Sequence, residues 1–446
     1  MMRRIFLTFI FSVLCGLIYA QDSILTSLSL EQSISLALKN NIDVKRSNIQ
    51  SENARIGLQQ SRANLLPDLN GGVTHGINLG RSIDPFTNTF SNEKVIYAQP
   101  YLASSVTLFS GLALQNLIKQ NSFLYQASKQ EEQQANDNLS LNVTLAYLQV
   151  LTAKDLYNLA VAQQAVTAKQ LERLDVLNKN GSIAPAEYFD LKGQYSGDKL
   201  AVVNALNALD NAKIALTSLL NIPFSKELAL EPLKAEQFSL IYDGGATQVY
   251  QIAISNYAGI KAADFRQKSA IYNVRTNRSR FYPTVFFDAG FRSNFSNAAR
   301  DPQNLPISYF RQYSNNISQG FSVGVNIPMF NAFRTRNNVS LAKLVQRESE
   351  LIAQNARVQL QQLTSQAFLN MEASRERYQN LLEQTEAFAE SFRTMEIRFN
   401  AGAINSVDYL VSKNNLDRAN QNLATNRYDF ILRKKILDFY KGISVY

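Results

Sequence analysis

The chain has 446 residues, a formal net charge of +9, one histidine and one cysteine. Because these two residue types are so scarce, metal sites built from His and Cys and His-based catalytic triads have almost no groups to use. The basic residues are scattered and accompany no nucleic-acid-binding motif, so they predict a solvated basic surface rather than a nucleic-acid partner.

The first twenty residues, 1–20, are typical of a secretory signal peptide. Two arginines precede an apolar run over 5–18, and Ala20 is the small residue expected before the cleavage site. The run is too short for a good transmembrane helix. The single cysteine, Cys15, lies inside this segment. A lipoprotein cut before Cys15 is the less favoured alternative, because Leu14 is bulky where a small residue is expected. The sequence predicts an exported protein without disulfides.

The rest of the chain is an internal duplication. Residues of the first half recur in the second at an offset of 283 − 67 = 216 before the predicted strands and 402 − 181 = 221 after them. The recurring residues are Ala37, Asn40, Lys45, Ala54, Arg62, Pro67, Phe109, Ala146, Leu148, Tyr157, Gly181, Ile183 and Leu216. This self-similarity predicts two structural repeats, 21–221 and 246–446, joined by a connecting segment, 222–245, with Pro and Gly.

Each repeat is predicted to contain a helix, a strand pair, a long helix, a turn and a last helix. The first helix, 30–66, ends before Pro67, and its copy ends at Tyr282, before Pro283. The remaining predicted elements are strand pairs over 68–109 and 284–330, long helices over 112–178 and 331–399, and last helices over 185–220 and 405–440.

The strand pairs alternate apolar and polar residues with a period of two. Such alternation over about 10 residues matches a membrane strand, although a soluble sheet with one buried face gives the same pattern. The predicted lipid-facing residues are Phe287, Phe291, Phe321, Val323 and Val325, and the predicted lumen-facing residues are Asp288, Arg292 and Asn326. Four strands cannot close a barrel, so strands that cross a membrane must come from several chains.

The long helix over 331–399 contains no Pro and no Gly. At a rise of about 1.5 Å per residue it would run roughly 100 Å, far longer than a compact domain uses. Its apolar residues near helical spacing predict a coiled coil or the wall of a tube.

The two turns between long and last helices are alike. Gly181 and Gly402 end the incoming helices, where a left-handed residue is needed. Pro185 suits the first position of the following helix. Asn405 is a good N-cap, and Asp408 three residues later completes a capping-box pattern.

No residue cluster predicts catalysis. His75 is interpreted as an ordinary strand residue, and the carboxylates of Glu187 and Asp190 lie at a helix start, where they favour the helix dipole. The sequence predicts no enzyme, no cofactor and no metal site.

The signal peptide, the duplicated halves with strand pairs before each long helix, and the stretch 400–410 together resemble the TolC-type outer-membrane efflux channels. The resemblance implies a mainly α, α+β fold, with four transmembrane strands per chain. It also implies a homotrimer, whose twelve-stranded β-barrel in the outer membrane continues as a periplasmic α-helical barrel. Such a duct is passive and works with a periplasmic adaptor protein and an inner-membrane transporter.

The resemblance also assigns roles near the turns. Gly181 and Gly402 fit the glycines at the periplasmic tip, and Glu187 and Asp408 fit the acidic positions just inside; helix capping is an equally good interpretation of these residues. Ile404 stands where many members carry Arg, and Val411 where a second Asp often follows. A closed tip held by ion pairs is therefore not predicted with these residues.

An alternative function is a soluble periplasmic coiled-coil adaptor or scaffold, which also contains long helices. One strand pair per repeat fits that class less well. Drugs, metal ions, peptides and proteins all remain open as cargo.

Overall fold

A computed structural model describes residues 27–83, 88–92, 94–233, 242 and 244–443. The predicted signal peptide lies outside the described residues. The chain forms two compact units. The helical unit comprises Met1–Ser47, Glu132–Tyr257 and Val358–Tyr446, and the sheet unit comprises Asn48–Glu131 and Ala258–Arg357. Each repeat contributes residues to both units. Within the described ranges, every helix is too short or too polar to cross a membrane.

The predicted first helix, 30–66, is wrong in one respect, because the structure contains two helices there. These are α1 (Leu30–Asn40) and α2 (Ile42–Ala63). Asn41 between them is extended, with φ −62° and ψ 132°. Its side-chain oxygen accepts hydrogen bonds from the backbone N–H groups of Asp43 (2.9 Å) and Val44 (3.3 Å). Asn41 therefore starts a new helix as its N-cap, which an unbroken helix would not allow.

The second repeat has the same break. Its helices are α5 (Ala246–Asn256) and α6 (Ala258–Ser279), separated by Tyr257 in an extended conformation. The long and last helices are α3 (Ala113–Lys179), α4 (Pro185–Leu220), α8 (Arg334–Asn400) and α9 (Ser406–Lys441), and a short helix, α7 (Tyr309–Asn315), precedes the last strand. The second long helix thus begins three residues later than predicted.

The strands are β1 (Asn70–Asn78), β2 (Ser82–Ile83), β3 (Phe90–Ser91), β4 (Val95–Phe109), β5 (Thr284–Arg292), β6 (Phe295–Ser296) and β7 (Ser318–Asn326). The main sheet is antiparallel in the order β1-β4-β5-β7, and β6 adds to β4. β2 and β3 form a separate pair. Strands of the two repeats meet where β4 pairs with β5, so the duplication builds one sheet rather than two.

The register places the apolar and polar residues on opposite faces of this sheet. Phe287 pairs with Val106 on one side and Val323 on the other, whereas Asp288 pairs with Ser105 and Ser322. A bulge between Thr107 and Phe109 shifts the pairing, so that Phe109 lies opposite Val285. Strict alternation of the two faces therefore ends at Leu108, because the extra residue of a bulge reverses the faces beyond it.

Three glycines on the polar face lie opposite aromatic residues. Gly72 pairs with Tyr101, Gly76 with Tyr97, and Gly324 with Phe286. A Cβ atom at Gly72 would be 2.7 Å from Cε1 of Tyr101. These glycines therefore leave room for rings that lie across the neighbouring strand.

Helices of the sheet unit follow the order of the strands to which they connect. The Asn121 amide of α3 donates to the Gly57 carbonyl of α2 at 3.4 Å. Arg266 of α6 forms an ion pair with Glu131 of α3 at 2.5 Å. Arg357 of α8 contacts Asp264 of α6 at 2.5 Å. The helix order in this unit is therefore α2-α3-α6-α8, with α2 and α8 at its two edges.

The helical unit has its main core where α1, α3, α4 and α9 meet. Leu28 forms a parallel bridge with Leu230 of the connecting segment. The buried Tyr147 hydroxyl donates to the carbonyl oxygens of Leu28 (3.0 Å) and Glu231 (2.7 Å). The connecting segment between the repeats is thus anchored to the core by backbone pairing and by one tyrosine.

Candidate functional site: the two helical turns

The turns after α3 and α8 have the same backbone structure. Gly181 has φ +67° and Gly402 has φ +71°, in the left-handed region that favours glycine. The N–H of Ser182 donates to the Leu177 carbonyl at 2.9 Å, and the N–H of Ala403 donates to the Arg398 carbonyl at 2.9 Å. Each hydrogen bond closes the six-residue loop that ends many helices at glycine. Both Gly181 and Gly402 are exposed.

The helices that leave the turns begin differently. Pro185 is the first residue of α4, after Ala184, which provides no side-chain cap. Asn405 caps α9, because its side-chain oxygen accepts from the Asp408 N–H at 2.9 Å. The predicted capping box is only half formed, since no return bond from the Asp408 carboxylate is found among the described residues. The Asp side chain is one carbon shorter than the Glu that usually makes that bond.

An apolar cluster lies beneath the turns and holds the four helices together. Its buried members are Leu174, Leu191, Phe399 and Tyr409. The ring of Tyr409 stacks on Phe399 with centroids 4.6 Å apart. Ile404, which replaces the arginine of many family members, packs against this cluster. This position therefore contributes to the core instead of forming an ion pair.

The Tyr409 hydroxyl is buried and has no hydrogen-bond partner among the described residues. Burial raises the pKa of this hydroxyl well above its ordinary value, and the charges of Glu396, Asp417 and Asp198 raise it further. A buried hydroxyl without a partner loses its hydration without compensation.

Two polar contacts link the hairpins. Arg173 of α3 donates to the Asn400 carbonyl at the end of α8, at 2.5 Å, and also contacts the Asn400 side chain. The buried Ser406 hydroxyl of α9 donates to the Asp190 carboxylate of α4 at 2.9 Å. Each contact joins one hairpin to the other, so the two turns form one assembly.

A buried charged cluster lies further along the same helices. The Lys413 ammonium is 2.6 Å from Asp417 and 3.3 Å from Asp198. Lys413 is 2% exposed, and Asp198 also accepts from the Thr167 hydroxyl (2.5 Å) and the Gln194 amide (2.7 Å). Two carboxylates therefore share one buried cation. Removing a partner from such a cluster leaves an uncompensated charge in the interior.

The pKa of the Asp417 carboxyl is raised above its ordinary value. Burial is the main cause, the hydrogen bond and charge of Lys413 oppose it, and the nearby Asp198 carboxylate adds to it. Asp417 therefore takes up a proton at a higher pH than an exposed aspartate does.

The predicted tip residues lie around this assembly. Glu187 is half-buried and Asp408 is exposed, each in the first turn of its helix. Val411, in the place of a second Asp, is exposed. Sequence reasoning missed Lys413, Asp417 and Asp198. The spacing of Lys413 and Asp417, i and i+4 on one helix, was an available signal. Asp198 comes from another helix, and no local pattern connects it to them.

The predicted strand residues fall into two sets on opposite faces of the main sheet. By register, the five apolar residues share one face, and Asp288, Arg292 and Asn326 share the other. The structure thus separates the two sets, which were predicted to face lipid and lumen.

The model of one family, described as outer membrane efflux protein, matches residues 33–221 and 249–437. The chain belongs to this family. It is 26% identical over 397 residues to the outer membrane protein TolC of Vibrio cholerae serotype O1, covering 86% of this chain and 83% of that protein. A membrane protein from Pseudomonas aeruginosa has the same fold, with a TM-score of 0.79 at 18% identity, covering 93% of this chain and 92% of the other. The Campylobacter jejuni CmeC outer membrane channel has a TM-score of 0.79 at 17% identity, covering 93% and 85%.

These comparisons confirm the predicted family, the mainly α, α+β fold class and the outer-membrane location. They support the efflux duct and not the alternative of a soluble adaptor. The protein is an outer-membrane efflux channel protein. Its family is a transport family rather than an enzyme family, and its members are trimeric channels that work with an adaptor and an inner-membrane pump.

Proposed function

We propose that three copies of this chain form one passive duct, in which β7 of each copy pairs with β1 of the next. The observation that carries the proposal is the main sheet, whose outer strands, β1 and β7, each have one unpaired edge among the described residues. An unpaired strand edge is not tolerated in lipid, because its N–H and C=O groups have no water to bond. Three sheets joined edge to edge give a closed cylinder of twelve strands.

The two edge helices of the sheet unit support the same arrangement. On α2, Ile49 and Ile56 are 60% and 54% exposed and seven residues apart. On α8, Leu344 and Leu351 are 67% and 51% exposed and also seven residues apart. Apolar residues at this spacing are typical of helices that pack in a coiled-coil manner. Packing α2 of one copy on α8 of the next would bury both rows.

The two faces of the sheet have the chemistry of lipid and of water. Phe291, Phe321, Val323 and Val325 are all exposed in the single chain, on the apolar face shared with Phe287. This face would contact lipid, and Asp288, Arg292 and Asn326 would face the lumen, as in membrane strands that alternate apolar-out and polar-in.

The turns around Gly181 and Gly402 would form the periplasmic end of the duct, beside the adaptor and the pump. Glu187 and Asp408 are the candidates for lining its entrance. The chain has no catalytic role in this proposal, since the pump supplies the energy.

The proposed repeats are 21–221 and 246–446, joined by 222–245. Their support is the family match, whose two segments have equal lengths, 221 − 33 + 1 = 189 and 437 − 249 + 1 = 189.

Conductance in a planar bilayer tests the duct. The wild type purified in mild detergent should run as a trimer and give discrete conductance steps. Ile49→Glu with Ile56→Glu should abolish both, because two ionised groups at each interface cannot be buried unpaired. A matched control is Glu52→Gln with Arg55→Gln, on the same helix at exposed positions. A wild-type monomer, or a trimer that never conducts, would contradict the proposal.

Substitution of Asp408 tests whether this residue lines the entrance of the duct. Asp408→Asn should lower the preference for cations over anions if its carboxylate lines the pore. Asp175→Asn, at a half-buried acid that pairs with Lys179 before the first turn, should not. Unchanged conductance and ion selectivity in Asp408→Asn would leave this carboxylate only its favourable charge at the start of α9.

A further inference from the structure

A basic groove lies between α6 and α8 in the sheet unit. It is a cavity of about 380 Å³, and four of its lining residues are the cations Arg275, Arg278, Lys343 and Arg347. All four of these residues are exposed. Glu350 is the one acid among the residues that line it.

The groove has a positive charge that its own residues do not neutralise. Arg347 pairs with Glu350 at 3.0 Å, and this contact holds the pKa of Glu350 below its ordinary value. Arg275 lies over the ring of Tyr272, 4.7 Å from its centroid. Within the described part of the chain, Arg278 and Lys343 have no carboxylate at ion-pair distance. Four cations and one carboxylate leave a net charge of 4 − 1 = +3.

The first repeat lacks three of these four cations. At the offsets of 216 for α6 and 221 for α8, three of the four cations become Gln59, Ser122 and Gln126, and only Arg62 keeps the charge. The duplicated backbone therefore does not require these cations. They are a property of the second repeat.

The groove lies next to the end of the sheet. Arg278 is six residues before β5, and α8 begins eight residues after β7 ends. The intervening segments carry exposed aromatic residues, which are Phe281, Tyr282, Phe330 and Phe333. The order of features from the sheet is therefore apolar strand, aromatic junction and basic helix surface. Membrane proteins have this order where the hydrocarbon meets the headgroups, with aromatic belts at the boundary and Lys and Arg beyond it.

We propose that this groove binds the phosphate of an anionic phospholipid in the periplasmic leaflet of the outer membrane. The proposal rests on the duct proposed above, because only strands in lipid bring the groove to headgroup level. A net charge of +3 in a cleft between two helices suits one phosphate and its neighbouring headgroup, as in basic pockets that hold anionic lipids. Arginine forks add bidentate geometry that a scattered basic surface lacks.

Native mass spectrometry of the trimer in detergent tests this. Phosphatidylglycerol and phosphatidylcholine are supplied at equal concentration, and the wild type should retain phosphatidylglycerol in preference. The variant Arg275→Gln, Arg278→Gln, Lys343→Gln, Arg347→Gln should lose that preference by at least tenfold, since each cation near an anionic surface contributes roughly fivefold. A matched control, Lys154→Gln, Lys169→Gln, Arg377→Gln, Arg398→Gln, removes four exposed cations of the helical unit and should behave as the wild type.

A charge-preserving variant, Arg275→Lys, Arg278→Lys, Arg347→Lys, should keep more of the preference than the glutamine variant does, which rules out a mere packing defect. Equal retention of phosphatidylglycerol by the wild type and the four-fold variant would overturn the proposal. So would displacement of the lipid by an equal concentration of inorganic phosphate, which would identify the groove as a site for free anions. Trimer mass and bilayer conductance are measured on the same samples, so that failure of the duct is seen separately from failure of the lipid site.

Discussion

The two helical turns have the same backbone but bury different chemistry. At the offset of 221, Tyr188 corresponds to Tyr409 and Lys192 to Lys413. Lys192 is exposed, with its ammonium 5.8 Å from the ring of Tyr188. Lys413 is buried between two carboxylates. The position of Asp198 in the other repeat is Ala419, which is buried without charge.

The backbone of the turn and the packing of the helices beneath it therefore have different requirements. A glycine with positive φ and a helix start suffice for the backbone, and both repeats have them. Among the described residues, the buried charges of Lys413 and Asp198 lie where α3, α4 and α9 meet, so the second copy of the lysine has a role that the first does not have. Substitutions at equivalent residues of the two hairpins test this difference.

The largest difference is expected between the two lysines. Lys413→Met should lower the free energy of unfolding by about 3–5 kcal/mol, because Asp198 and Asp417 are left buried without a cation. Lys192→Met should change it by less than about 0.5 kcal/mol, as at other surface positions. Denaturant unfolding in detergent measures both, and equal losses would refute the comparison.

The two glycines should behave alike. Gly181→Ala and Gly402→Ala should each lower the free energy of unfolding by about 1–2 kcal/mol, since a side chain at positive φ meets the carbonyl that follows it. Apart from the glycine itself and its two chain neighbours, no atom lies within 4 Å of either added methyl group, so local backbone strain is the cause. A large loss in one variant alone would show that the turns differ in backbone as well as in burial.

Substitution of the buried tyrosine should raise the free energy of unfolding, whereas substitution of the buried lysine lowers it. Tyr409→Phe should raise the free energy of unfolding by about 1 kcal/mol, because it removes a buried hydroxyl that has no partner among the described residues. Tyr188→Phe, at a half-buried position, should be neutral within about 0.5 kcal/mol. A lower thermal midpoint for Tyr409→Phe would mean that the hydroxyl makes a stabilising contact.

The smallest effect is a pH dependence. The raised pKa of Asp417 means that the folded protein binds this proton at a higher pH than the unfolded chain, whose reference value is 3.8. The stability that this proton contributes therefore grows as the pH falls through the folded pKa. The wild type should gain thermal stability relative to Asp417→Asn as the pH is lowered from neutral towards 3.8. Ser196→Asn, at the equivalent position of the first repeat, should follow the wild type at every pH.

Local patterns predicted much of the fold. Alternating residues such as Phe287 and Asp288 predicted the faces of the sheet, because side chains of a strand alternate whatever lies beside it. Breaks within a helical pattern were harder to predict from the sequence. Asn41 ends α1 and its side chain caps α2, but Tyr257, which has no capping side chain, ends α5 at the equivalent place, so a capping residue alone does not mark the break. The bulge near Leu108 depends on pairing with β5, far along the chain.

By itself the sequence determined the duplication and the family, because both are comparisons of one sequence with another. It also determined the long helices and the turns at Gly181 and Gly402, because these depend on residues close together in the chain. Only the tertiary structure decided which lysine is buried, which glycines lie under aromatic rings, and where four cations meet between α6 and α8. Those outcomes depend on contacts between segments tens to hundreds of residues apart. Periodicity along one helix determines which face is apolar, but not which charge from another helix meets it.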